Sequence, residues 1–156
     1  MPWRRSGPDR MHPFPHTYVA SAAARNVGLV TVTSPQVPDL ETAAPPEFDG
    51  PGGVWSPENL LCASLADCFI LTFRSISRAA RFEWTRVECR VEGVLDRVER
   101  VSQFVRYTTF ARLTVRNGSD LEKARDLLDR AERGCLITNS LRGSHALDAE
   151  VIVSDE

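Results

Sequence analysis

The sequence predicts an α+β domain with largely antiparallel sheets. Three observations carry that expectation. An apolar stretch with helical spacing follows a strong helix start at Ser56-Pro57. A segment of apolar–polar alternation follows that helix, and another closes the chain. The order strands, helix, strands, helices, strand lacks repeated βαβ units.

Residues 1–15 are rich in proline, arginine and glycine and read as a loose arm before one domain over 16–156. Tyr18–Ala24 and Val27–Thr33 flank Ala24-Arg25-Asn26 and predict a hairpin, with Asn26 suited to the turn. The chain from Ser34 to Gly53 is proline- and glycine-rich, a long loop with room for a short strand near Val37–Leu40. Ser56 suits a helix cap and Pro57 the first turn, and the helix is expected to reach about Ala80. Leu61, Leu65, Cys68, Thr72 and Ile76 form its expected apolar stripe, with Leu60, Leu71 and Phe73 beside it. Such a helix calls for cover on more than one side, in part from a second subunit.

Val87, Cys89, Val91 and Leu95 alternate with Arg86, Glu88, Arg90 and Glu92, which marks a half-exposed strand. Phe104–Val115 is a second strand, with Gly118 in the turn beyond. Ser119 and Glu122 make a capping box for a helix ending at Gly134. A short helix is expected from Cys135, and Leu147, Ala149, Val151 and Val153 alternate as a closing strand.

The chain has 156 residues, 42% hydrophobic and 26% charged, enough for one sizeable core. A net charge of -2 gives no case for a nucleic-acid partner. Lys123 is the only lysine among many arginines, which reads as composition bias rather than a binding surface. No apolar run looks long enough to cross a membrane, and the basic start has no apolar stretch behind it, so a cytoplasmic protein is expected. In a reducing compartment four cysteines point to reactive, metal-binding or buried thiols rather than a disulfide frame. Metal ligation is not expected, because neither C-x-x-C nor H-x-x-x-H occurs.

Two motifs stand out: Pro57-Glu58-Asn59-Leu60-Leu61 followed by Ala66-Asp67-Cys68-Phe69, and Ala131-Glu132 followed by Cys135-Leu136-Ile137-Thr138-Asn139-Ser140-Leu141. Together they resemble the OsmC/Ohr family of thiol-dependent peroxidases, over roughly Tyr18 to the C-terminus. The resemblance implies an OsmC-like fold and an intertwined homodimer, with sites at the subunit interface. It implies Cys68 as attacking thiol and Cys135 as resolving thiol. An arginine from the N-terminal hairpin and a glutamate from the following loop belong to the family site; Arg25 and Glu47 suit them. Ala22-Ala23-Ala24-Arg25-Asn26 replaces the glycine-rich turn of the hydroperoxide-specific branch, and Leu136 stands where proline is common, which marks a divergent branch.

The implied activity is reduction of organic hydroperoxides, and of hydrogen peroxide, in oxidative-stress defence. It would run through a Cys68 sulfenic acid and a Cys68–Cys135 disulfide. It needs no bound cofactor or metal, only an external dithiol or lipoyl-type reductant. Cysteine attacks as thiolate and burial disfavours charge, so Arg25 is expected to supply a cation and Glu47 to orient it. A helix start at Cys135 would favour its thiolate. Phe48, Trp55, Phe69 and Phe73 are candidates for an apolar entrance or for dimer core. Cys62 points away from the Cys68 stripe and Cys89 faces inward, so both read as core. The competing reading is a non-enzymatic redox sensor or small-molecule binder on the same scaffold.

Overall fold

The computed structural model describes residues 12–154. Most of the expected arm, residues 1–11, lies outside the described residues. The chain divides into two compact units, one reaching to Trp55 and the other starting at Ser56.

In the first unit, β1 (Ser21–Ala23), β2 (Val30–Thr33) and β3 (Leu40–Thr42) form an antiparallel sheet in that order. The first two strands are the expected hairpin. The third begins at Leu40 rather than near Val37. Pro38 has no N–H to give a ladder, so pairing starts beyond it, with Leu40 opposite Val32. Pro46–Phe48 form one 3-10 turn.

In the second unit, α1 (Pro57–Ala79) starts where the sequence places it. The Ser56 hydroxyl accepts from the Asn59 amide at 3.2 Å. The row that α1 buries is Leu65, Phe69, Phe73 and Ser77, not the expected Leu61, Leu65, Cys68, Thr72 and Ile76. A helix that is apolar nearly all round offers several rows, and the two phenylalanine rings hold the most area to remove from water. By length and composition alone α1 could span a bilayer, with mean hydropathy 1.5, contrary to the sequence expectation. Its Phe69 and Phe73 pack into the core of this unit.

β4 (Arg86–Val98) and β5 (Val101–Arg116) form a long antiparallel hairpin. α2 (Leu121–Gly134) then crosses to β6 (Ser144–Ser154), which lies parallel to β5. The unit therefore contains one βαβ crossover that the alternation pattern did not reveal. The cap of α2 is Asp120, whose carboxylate accepts from the Lys123 amide at 2.9 Å, and not Ser119. Ser119 is taken up by the preceding turn, its amide donating to the Arg116 carbonyl. The helix expected from Cys135 is a single 3-10 turn, Thr138–Ser140.

The core joins Phe69 and Phe73 of α1, Ala111, Leu113 and Val115 of β5, and Ala124, Leu127, Leu128 and Ala131 of α2. Trp84 packs edge-on to Phe73 and donates its indole N–H to Ser77 at 3.0 Å. The other sheet face is polar, with exposed pairs such as Arg86–Glu88 and Arg112–Glu150. Pairs of this kind contribute about 0–1 kcal/mol each, so the buried face holds the fold. With two α-helices and two sheets among the described residues, the chain has the expected α+β architecture.

Candidate dithiol site

Cys68 lies halfway along α1, not near its start, on the side next to the buried row. Its sulfur is 3.9 Å from the Thr72 hydroxyl one turn later. Cys135 is the residue that ends α2, in extended conformation, and it is 0% exposed. The packing of α1 on α2 brings the two cysteine side chains face to face, near enough for their sulfurs to interact. Both are free thiols.

Burial pushes the Cys135 thiol up, and the neighbouring Cys68 adds to the shift. The hydroxyl and amide of Thr138 oppose it by bonding the sulfur. Burial is the largest influence, so Cys135 rests as a thiol, and the expectation that a helix start would favour its thiolate is corrected. The loop beyond is pinned by Asn139, whose amide donates to the Cys135 carbonyl at 3.0 Å and whose side chain donates to the Arg133 carbonyl at 3.1 Å.

Cys89 packs against the core from the inner face of β4, as expected, yet it also belongs to the electrostatic surroundings of the pair. Its thiol is pushed up to about 12, by burial first and then by the charges of Glu132 and Cys135. Glu132 was visible in the sequence only as a neighbour of the second motif. Its carboxyl takes a hydrogen bond from Thr109, while Oε1 is buried without a partner. Burial raises the pKa of Glu132. Cys62 is apart from this group, against Gly93 and Phe104, with its thiol pushed up by burial.

Arg25 and Glu47 belong to the first unit. Arg25 is exposed beside the hairpin turn and lines a shallow groove with Val27, Leu29, Thr31 and Glu41. Glu47 is exposed on the 3-10 turn. Among the described residues no ion pair joins these two. Glu58 of the first motif lies in the first turn of α1, and its Oε2 is buried without a partner. Of the residues considered for an apolar entrance, Phe69 and Phe73 are core, while Phe48 and Trp55 are about half exposed.

A helix-and-sheet layer that holds two remote thiols face to face defines a dithiol protein of α+β type. The family described as OsmC-like protein matches residues 50–150, well over half of the sequence, and the chain belongs to it. YmaD of Bacillus subtilis (strain 168), an uncharacterized protein, is 24% identical over 112 residues, covering 70% of this chain and 75% of that one. An OsmC-like protein of unknown function, VCA0330 from Vibrio cholerae, superposes with a TM-score of 0.80 at 15% identity, over 87% of this chain and 100% of that one. An organic hydroperoxide resistance protein OsmC from Legionella pneumophila does so with a TM-score of 0.70 at 25% identity, over 90% of this chain and 99% of that one.

Proposed function

We propose that this protein is a cytoplasmic, homodimeric cysteine peroxidase that reduces organic hydroperoxides. The observation that carries the reading is the meeting of Cys68 and Cys135 as free thiols. The hydroperoxide resistance protein among the structural relatives supports the substrate class.

The Cys68 thiolate attacks the terminal peroxide oxygen and the O–O bond breaks. The alkoxide takes a proton and leaves as the alcohol, and Cys68 becomes a sulfenic acid. Cys135 then attacks the Cys68 sulfur, the S–O bond breaks, and water leaves as the disulfide forms. Two exchanges with a dithiol or lipoyl-type reductant restore both thiols. Arg25 is the proposed cation for thiolate and alkoxide, and Glu47 its proposed orienting carboxylate. No bound cofactor or metal enters the scheme. Apolar α1 surface such as Leu71, 53% exposed, supports cover by a second copy.

The test is consumption of cumene hydroperoxide with dithiothreitol or dihydrolipoamide as reductant. Loss of activity in Cys68→Ser is expected; full activity in that variant ends the mechanism. One observation favours a redox sensor as second reading: Cys135 is 0% exposed, which hinders attack by an external dithiol. A sensor forms the Cys68–Cys135 disulfide under mild peroxide yet turns over negligibly with any dithiol.

A further inference from the structure

Two groups of the second unit flank the Cys68 sulfur. The Thr72 hydroxyl, one turn further along α1, lies 3.9 Å from it. Cys135 meets it from the end of α2. Cys135 is in turn bonded by the hydroxyl and amide of Thr138. Each sulfur of the pair therefore has a threonine hydroxyl beside it, and the scheme above uses neither.

Thr72 divides its two branches between these neighbours. Its methyl Cγ2 faces α2, where a Cβ on Gly134 would touch it at 3.4 Å. Its hydroxyl faces Cys68. A β-branched side chain is stiff at χ1, so the methyl's contact with α2 also holds the hydroxyl in place. With both groups neutral, either the thiol or the hydroxyl can donate. Once Cys68 has lost its proton the sulfur can only accept, so the hydroxyl must donate. A hydrogen bond to an ionised acceptor is shorter and roughly twice as strong as a neutral one. The 3.9 Å contact has room to tighten as the charge appears, and that favours thiolate over thiol.

We propose that Thr72 is a catalytic residue whose hydroxyl donates to the Cys68 thiolate and holds it for attack on the peroxide. This rests on the peroxidase reading above and adds a role to it. The Thr72 hydroxyl keeps its own proton throughout. The Cys68 proton leaves to solvent, which the half-buried position of that residue admits. The thiolate electron pair then bonds the terminal peroxide oxygen, the O–O bond breaks, and the alkoxide takes a proton and leaves as the alcohol. A donor also blunts the sulfur it stabilises, because nucleophilicity falls with a slope of about 0.4–0.5 against the gain in thiolate. Below about pH 8.5, where a free thiol ionises, the gain in thiolate is the larger effect and attack is faster.

The experiment compares the full wild-type chain with Thr72→Val and Thr72→Ser near neutral pH in two reactions. One is alkylation by iodoacetamide, followed on the Cys68 peptide by mass spectrometry so that the other free cysteines do not interfere. The second is sulfenic acid formation with cumene hydroperoxide, trapped by dimedone. Thr72→Val keeps the shape and loses the hydroxyl, and it is expected to slow both reactions about 3- to 10-fold. Thr72→Ser keeps the hydroxyl and loses the methyl, and it is expected to stay within about twofold of wild type. A role in packing alone gives the reverse order. Thr72→Val as fast as wild type overturns the proposal, and so does Thr72→Ser as slow as Thr72→Val. Should Thr72→Val fail to fold, Thr72→Ala is set against Thr72→Ser. Those two differ only in the hydroxyl, and equal rates overturn the proposal. A wild type that alkylates at Cys68 but yields no sulfenic acid ends the peroxidase reading, while the order of alkylation rates still decides the part played by Thr72.

Discussion

Cys135, sealed at the end of α2, turns its sulfur to Cys68 halfway along α1, although the whole β4–β5 hairpin separates them in the chain. The meeting depends on two helices packed over one sheet face. Any change that loosens α1 from α2 therefore acts on chemistry as well as stability.

Cys135→Ser should leave the first turnover intact. Cys68 is still oxidised, no internal disulfide forms, and cycling with dithiothreitol stops or becomes slow and single-thiol. Trapping with dimedone reads this directly, with the Cys68 adduct abundant in the variant and scarce in the wild type. A disulfide of normal yield in the variant would mean that another cysteine resolves Cys68.

Gly93 keeps β4 and α1 in close approach. A Cβ there would lie 2.9 Å from the Cys62 sulfur and 2.8 Å from the Phe104 ring. Gly93→Ala should cost about 1–3 kcal/mol by overpacking, measured by urea denaturation. Adding Cys62→Ala should recover part of that loss. If the double variant is as unstable as the sum of the singles, Cys62 is not the obstacle.

A dimer predicts that light scattering gives twice the chain mass, and that Leu71→Arg moves the population toward monomer. The exposed side of α1 is the reason to choose that residue. Monomeric wild-type protein at micromolar concentration would remove the second subunit from the scheme.

His145, Cys135 and Cys89 together favour folding most between about pH 6.5 and pH 8.5. Burial lowers the pKa of His145, so the unfolded chain takes up that proton first, from about pH 6.5 downward. Stability from the neutral ring is thus present above that value and is lost as pH falls toward the lowered one. Burial raises the pKa of Cys135 and Cys89, so the unfolded chain releases those protons first, from about pH 8.5 upward. Stability is lost as pH rises through that window, which for Cys89 extends to about 12. Melting temperatures from pH 5 to pH 10 check both limbs, and His145→Phe should flatten the acid one alone.

Ser56→Ala should cost about 1 kcal/mol, because it removes the acceptor for the Asn59 amide. Thermal melting measures it. This is the kind of effect that was legible without a structure, since Ser56-Pro57 states the start of α1 locally.

Several features were not legible in this way. The apolar pattern of α1 is compatible with more than one buried row, and the choice of Leu65, Phe69 and Phe73 follows from what packs against them. The same alternation in β6 suits a parallel or an antiparallel neighbour, because side-chain period does not encode strand direction. Glu132 stands in the second motif, but only the fold shows that its Oε1 is buried without a partner.

The sequence by itself determined the helices, the long strands and the two thiols with their flanking motifs. Caps, turns and side-chain period act over a few residues and need no distant partner. Only the tertiary structure decided that Cys135 rests protonated against Cys68, with Cys89 close by. Charge in a protein interior is set by whichever groups folding brings near and whatever water it drives out, and those neighbours come from remote parts of the chain.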